Sequence, residues 1–358
     1  MKFEYWYANI KGISNQRKIE IRKYFQRMEE LFFLDEWRMA SLGISDKERS
    51  LLIDSIKTWN LELEYQKIKE NEVTCVSFVH EDYPEKLKEI HSAPYMLYVK
   101  GKLPDKNRKI VAIVGARNCS FYGEYMAREI ADVMARAGVQ IVSGMARGID
   151  SISQKSALEA GGNSFAVLGC GVDYCYPKEQ IDLYNSLIKH GGVISELPLG
   201  TGPLKHNFPA RNRIISGISD AVLVVEAKEK SGSLITADMA LEQGRDVYAL
   251  PGPVNSKLSR GCNMLIKQGA DILLSPEELL TDLGVESIIT SENSELTKKL
   301  LETSEKLVYS CLDLYPQNLE EMLQKTKMSV AELLDNLVRL ELKGIIKEVS
   351  KNYYVRLK

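Results

Sequence analysis

From residue 110 to about residue 275, short apolar runs alternate with amphipathic stretches of helix length. The runs are IVAIVG (110–115), VQIVSG (139–144), SFAVLG (164–169), GVISE (192–196), DAVLVVEA (220–227), DVYALPG (246–252) and ADILL (270–274). Continuous apolar runs bounded by glycine, with helices between them, mark parallel strands buried on both faces. The pattern predicts an α/β fold with a Rossmann-like, doubly wound, mostly parallel sheet. Upstream, Ile19, Tyr24, Met28 and Leu31 recur at helical intervals, and 51–68 continues the periodicity. Residues 1–80 therefore read as a small helical domain.

Within that domain two breaks look alike, Lys11-Gly12-Ile13-Ser14 and Leu42-Gly43-Ile44-Ser45. Each is similar to a helix-hairpin-helix turn, whose backbone N–H groups can meet a phosphate. The same turn can merely reverse the chain. A proline-punctuated stretch with Tyr83-Pro84, Ala93-Pro94 and Leu103-Pro104 then reads as a short strand and connector into the sheet domain, 81–280. Residues 276–300 are acidic with Ser and Thr and read as a linker, set as 281–300 between domains. In 301–358, three helices (near 300–312, 317–325 and 329–343) precede the runs 345–349 and 353–357, joined at a Lys-Asn turn. That order predicts a winged helix-turn-helix.

Composition narrows the function classes. The chain has 358 residues, 47 Lys+Arg and 49 Asp+Glu, a net charge of −2. Such a balance excludes a protein that is basic all over, so any nucleic-acid contact must come from a local patch. No uncharged apolar run approaches the roughly 18–20 residues of a membrane span, and no apolar signal core follows Met1; a cytoplasmic protein is expected. The six cysteines include no C-x-x-C pair and the four histidines no H-E-x-x-H. No metal, cofactor or catalytic triad is predicted, and the thiols read as small buried side chains.

Ligands of open α/β sheets bind beyond the carboxyl ends of the strands. After the first run comes Gly115-Ala-Arg117-Asn-Cys-Ser120, with a forked cation and a helix-capping serine, the makings of a phosphate seat. It has neither the third glycine of G-x-G-x-x-G nor the Lys-Ser/Thr of a P-loop, which weakens dinucleotide and NTP binding. After the second comes Ser143-Gly144-Met-Ala-Arg147-Gly. After the fifth, Lys230-Ser231-Gly-Ser233-Leu-Ile-Thr236 offers helix N-terminal N–H groups and hydroxyls to an anion. No acid stands between Glu196 and Asp220, where Lys205, His206, Phe208, Arg211 and Arg213 lie. None stands between Asp246 and Asp271, where Lys257, Arg260 and Lys267 lie. One-sign segments at one crevice suggest a polyanion, and Phe208 is either a base-stacking ring or a core residue. The third helix of the C-terminal unit carries Glu332, Asp335 and Glu341 against Arg339 and Lys343, a sum of −1, which disfavours insertion beside duplex phosphates.

Together these residues resemble the DNA-processing protein A (DprA, also called Smf) family. The motifs are Gly115-x-Arg117-x-x-Ser120-x-Tyr122-Gly123, Ser143-Gly-x-Ala-x-Gly-Ile-Asp150, Ala166-Val-Leu-Gly-x-Gly-x-Asp173 with Tyr176-Pro177, Ser195-Glu-x-Pro198, Phe208-Pro-x-Arg-Asn-Arg-Ile-Ile215, Ser231-Gly-Ser-Leu-x-Thr-Ala237, Gly244-Arg245 and Pro251-Gly252. The resemblance implies a cytoplasmic, non-enzymatic protein without cofactor. It would bind single-stranded DNA, load the RecA recombinase onto it in natural transformation and homologous recombination, and form a homodimer through the sheet domain. It places the family's pocket arginine on Arg117 and its basic-aromatic segment on Lys205, Phe208, Arg211 and Arg213. Gln154 stands in a region where many members have His. The expected DNA-binding set is Arg117, Ser120, Ser143, Gly144, Arg147, Lys205, Phe208, Arg211, Arg213, Ser231, Ser233, Thr236 and Lys257. The alternative is a phosphoribohydrolase-like nucleotide enzyme on a related fold, whose doubled-glycine turn is not matched at Ser231–Thr236. A nicotinamide enzyme suffers from the absent glycine fingerprint.

Overall fold

A computed structural model describes residues 1–285 and 303–357. Nine strands form one sheet: β1 (Thr74–Ser77), β2 (Met96–Gly101), β3 (Ile110–Val114), β4 (Gln140–Ser143), β5 (Ser164–Val167), β6 (Gly191–Ser195), β7 (Ala221–Val224), β8 (Asp246–Ala249) and β9 (Asp271–Ile272). Their order is β1-β2-β6-β5-β4-β3-β7-β8-β9. β3 to β9 pair in parallel, while β2 runs antiparallel to both β6 and β1. All seven predicted runs are strands. Each is followed by a helix that covers one face, so the apolar side chains of the inner strands are buried on both sides.

Alternation along β3 divides the two layers. Val111 and Ile113 pack with the helices Phe121–Arg136 and Ile149–Glu159, whereas Ala112 and Val114 face Asn207–Ile218 and Gly232–Glu242. Successive connections wind outward from β3 through β4, β5 and β6, then return to place β7 on its other side. The β3/β7 boundary is thus the topological switch point, where diverging loops leave a crevice at the carboxyl ends.

Two boundaries differ from expectation. The helical region ends with the helix Leu61–Glu70, and β1 at Thr74–Ser77 already belongs to the sheet, because the apolar run 73–78 pairs with β2. The acidic stretch after 275 opens with the helix Pro276–Asp282, capped by Ser275; Leu279 and Leu280 are fully buried against the sheet layer. Its Ser, Pro and acids are helix-start signals that also look like linker composition. The rest of the expected 281–300 linker, from 286 on, lies outside the described residues.

The N-terminal helices share a core with the sheet domain, where Trp6, Tyr7, Met28 and Leu31 join Tyr95, Tyr98 and Leu183. At the far end, helices Thr303–Ser310, Leu319–Thr326 and Val330–Leu342 precede β10 (Gln317–Asn318, between the first two), β11 (Ile346–Ser350) and β12 (Tyr353–Arg356), in sheet order β10-β12-β11. Tyr315 of this unit stacks on Tyr122 with ring centroids 5.3 Å apart. No helix among the described residues is long and apolar enough to cross a membrane.

The paired turns of the N-terminal region are joined to each other. Ser14 and Ser45 cap the helices that follow, and Glu48 accepts from the Ser45 N–H at 2.9 Å, so the protein's own carboxylate sits on the second turn. Arg17 from the first hairpin donates to Glu48 at 2.8 Å and to the Gly43 carbonyl at 2.8 Å. This arrangement reverses the chain and leaves less N–H capacity for a phosphate than the sequence suggested.

The Arg17 guanidinium holds the Glu48 carboxyl down from its ordinary 4.5 to about 2. Between those values the unfolded chain binds the proton and the folded one does not, so stability rises with pH across that window. The contribution is complete above pH 4.5 and is lost as pH falls toward 2. Urea unfolding at stepped pH should show that loss, and Glu48→Gln should flatten the slope; an unchanged slope would refute the assignment.

Candidate nucleic-acid interface

A cavity of about 520 Å³ opens at the switch point, between the loops after β3 and β7 and the start of the helix Asn207–Ile218. Its wall includes Arg117, Lys205, Phe208, Lys230, Ser231 and Ser233, and its floor includes the buried residues Val114, Ile215, Arg211 and Thr236. The volume lies within the range of small-molecule and cofactor pockets.

The floor is set by a buried arginine. Arg211 is 7% exposed and donates to the carbonyls of Gly144 (3.0 Å) and Val167, the ends of β4 and β5, and to the Asn212 side chain at 3.2 Å. Asp150, also buried, accepts from the Gly144 N–H at 3.1 Å and faces the Arg211 charge. Burial raises the Asp150 carboxyl above its usual range, with Arg211 opposing; burial likewise lowers Arg211 to about 10, with Asp150 opposing. At neutral pH the arginine stays charged. A side chain at position 144 would place Cβ 2.5 Å from the guanidinium, so only glycine admits Arg211 there. Gly148 adopts φ +74°, and its Cβ position would fall 2.3 Å from the Ala116 carbonyl, which fixes the close approach of the β3 and β4 loops.

The glycine-rich seats are partly self-occupied. Ser120 caps the helix Phe121–Arg136, but its hydroxyl and N–H both bond to Glu226, at 2.5 and 2.8 Å. Glu226 is 3% exposed, so the protein's own anion fills the seat expected for phosphate. Ser143 donates to the Ile113 carbonyl at 2.6 Å, and the Gly144 N–H serves Asp150; both residues stabilise the strand ends and neither lines the cavity.

The cations divide in the same way. Arg147 pairs with Glu179, and Arg213 pairs with Glu196 at 2.6 Å while 15% exposed. Lys257 is exposed on the loop after β8, away from the cavity wall. Arg117, Lys205 and Lys230 are exposed, line the cavity and pair with no carboxylate among the described residues. Phe208 also reaches the cavity, seated where a Gly169 side chain would come within 2.9 Å of its ring, and its ring lies 5.3 Å from that of Tyr176. At the start of the helix Gly232–Glu242, Ser231 and Ser233 share a hydroxyl contact of 2.8 Å. Thr236 is 2% exposed at the cavity floor, and its hydroxyl has no partner among the described residues.

Of the expected set, then, Arg117, Lys205, Phe208, Arg211, Ser231, Ser233 and Thr236 meet at one cavity, with Arg211 in its floor. Ser120, Ser143, Gly144, Arg147, Arg213 and Lys257 do not line it. Lys230, Tyr176 and Asn212, outside the expected set, also line it. Tyr176-Pro177 and Lys230-Ser231 were both visible in the sequence as parts of motifs. Among the described residues no cluster of His, Cys, Asp or Glu could hold a metal ion.

A doubly wound sheet with exposed cations and aromatic rings around a cavity at its switch point is an arrangement suited to anions. A family profile described as DNA recombination-mediator protein A matches residues 74–284. The chain belongs to that family. It is 30% identical to Protein Smf of Synechocystis over 395 aligned positions covering 98% of each chain. It is 37% identical to DNA processing protein DprA of Streptococcus pneumoniae, over 78% of this chain and 97% of that one. Protein Smf of Escherichia coli is 48% identical over 204 residues, which span 57% of this chain but only 54% of that protein. Among solved structures, S. pneumoniae DprA superposes with a TM-score of 0.70 at 34% identity, over 80% of this chain and 98% of that chain. DNA processing protein A of Helicobacter pylori, described with a unique single-stranded DNA binding mode, matches with a TM-score of 0.53 at 28% identity, over 59% of this chain and 95% of that chain.

The two arginines should separate cleanly by stability. Arg211→Met leaves Asp150 buried without its facing cation and should cost about 3 kcal/mol or more in denaturant unfolding. Arg117→Ala, at the surface, should stay within about 0.5 kcal/mol of wild type. Similar losses for both would contradict the assignment of floor and wall.

Proposed function

We propose that this protein binds single-stranded DNA at the switch-point cavity and loads the RecA recombinase onto it. It would do so as a non-enzymatic, cytoplasmic mediator of DNA uptake, natural transformation and homologous recombination. The observation that carries the reading is the convergence of Arg117, Lys205 and Lys230, none paired with a carboxylate among the described residues, with the Phe208 ring at one cavity. Cations neutralise phosphates while rings stack on unpaired bases, a combination suited to single strands and indifferent to sequence. Membership of a recombination-mediator family and the single-stranded DNA binding mode of the H. pylori relative support it.

The enzymatic alternative needs an accessible acid or base. Among the described residues the carboxylate lining the cavity is Asp150, which is buried and holds the Gly144 N–H. That position suits scaffolding and argues for binding over hydrolysis.

A homodimer fits the β9 edge, the reading's second part. Met264 of the helix Arg260–Lys267 is 42% exposed, Ile272 is 42%, Leu274 is 68% and Ile235 is 37%. Ile235 and Met264 line a second hollow, of about 480 Å³, beside the first. A paired copy there would bring two cation-lined cavities onto one strand, extending the track.

Fluorescence anisotropy of labelled oligonucleotides tests the binding. With about 3–4 phosphates neutralised per protomer, log K should fall with log salt at a slope of about −2 to −3. Arg117→Ala should weaken all sequences alike by about 10-fold or more. Affinity insensitive to both salt and Arg117→Ala would sink the reading. For the dimer, light scattering on eluted protein should report two chains for wild type and one for Met264→Asp; a wild-type monomer at micromolar concentration would exclude it.

A further inference from the structure

Resting on the single-strand reading above, we infer that the cavity receives a strand terminus, recognising a terminal phosphate monoester with its nucleotide rather than an internal phosphodiester. Three features point there.

The first is charge. Arg117, Lys205 and Lys230 line one cavity as three exposed cations, while Arg211 in the floor is turned to the Gly144 and Val167 carbonyls. The N-terminus of the eleven-residue helix Gly232–Glu242 adds its partial positive charge at Ser231 and Ser233. An internal diester brings a single negative charge. A terminal monoester brings close to two at neutral pH, with three oxygens to accept hydrogen bonds, and so matches the wall better.

The second is shape. Buried Val114, Ile215, Arg211 and Thr236 close the cavity below, so the hollow has a mouth and a floor. A terminal nucleotide can enter from the mouth and stop against that buried floor. A volume of about 520 Å³ exceeds what a phosphate group alone requires and suits a nucleotide.

The third is an unused donor. The Thr236 hydroxyl, 2% exposed, lines the cavity without a hydrogen-bond partner among the described residues. Its oxygen is open to the cavity rather than sealed in the core, so a phosphate oxygen seated there can take the hydrogen bond. At the mouth, Phe208 and Tyr176 stand as adjoining rings 5.3 Å apart, a platform for the terminal base.

The wall's cations do not distinguish a 5′ from a 3′ terminus, since both present the same monoester; the experiment does. Anisotropy is measured for one oligonucleotide sequence in four forms: 5′-phosphorylated, 3′-phosphorylated, hydroxyl at both ends, and circularised. Wild type should bind at least one phosphorylated form about 10-fold tighter than the hydroxyl-ended and circular forms, and the preferred form identifies the terminus. Lys230→Ala, a substitution at an exposed position, should bring that ratio toward one while retaining weaker binding to all four. Equal affinity for all four forms with salt-sensitive binding would overturn terminus recognition and leave the single-strand reading standing. No binding to any form would overturn both. A terminal preference undiminished by Lys230→Ala would overturn the assignment to this cavity.

Discussion

The functional end of this fold is organised around one buried cation. Arg211 rises from the helix Asn207–Ile218 and bonds the carbonyls that end β4 and β5, while Asp150 faces it and takes the Gly144 N–H. Strand ends in a parallel sheet leave carbonyls without ladder partners, and burying those groups unsatisfied is costly. A guanidinium, with five donors in a fixed planar fork, can serve several of these acceptors in one set geometry. The helix Asn207–Ile218, which carries Phe208, is thereby fixed against the sheet, and the cavity acquires a rigid floor. Around that floor the exposed cations Arg117, Lys205 and Lys230 can meet a ligand without holding the protein together.

The same logic explains why so few of the glycine-rich turns remain available. Helix N-termini attract anions, and here two of the attractive positions are taken by the chain's own carboxylates. Glu226 sits at Ser120 and Asp150 at Gly144. Glu226 ties the loop after β3 to the end of β7, and Asp150 ties the end of β4 to the helix that follows it, making both turns structural. The turn at Ser231–Ser233 has no carboxylate partner among the described residues, so its hydroxyls and helix N-terminus stay open to the crevice.

Much of the fold was legible because buried parallel strands must be apolar on both faces, as in 110–115 and 220–227. The antiparallel additions β1 and β2 were less so: short segments among prolines, they are strands because β6 offers an edge. Helix Pro276–Asp282 was hidden for a chemical reason, since a serine cap and first-turn acids are also what a linker contains. At the site, acid-free stretches around Arg211 and Arg213 suggested a cationic face. Glu196 and Asp150 reach them from elsewhere in the chain, which counting charges along a segment cannot reveal.

The sequence by itself determined the α/β class, the seven strand-forming runs and the motifs that carry the family, because periodicity and glycine placement express local constraints on the backbone. It also contained every residue of the cavity. Only the tertiary structure decided which of them stay exposed at its wall and which are held in its floor. Arg117, Lys205 and Lys230 stay available because no carboxylate among the described residues folds onto them, whereas Arg211, Arg213 and Arg147 acquire partners or carbonyls when distant segments meet. Whether a charge is free depends on its neighbours in space, and those are set by packing.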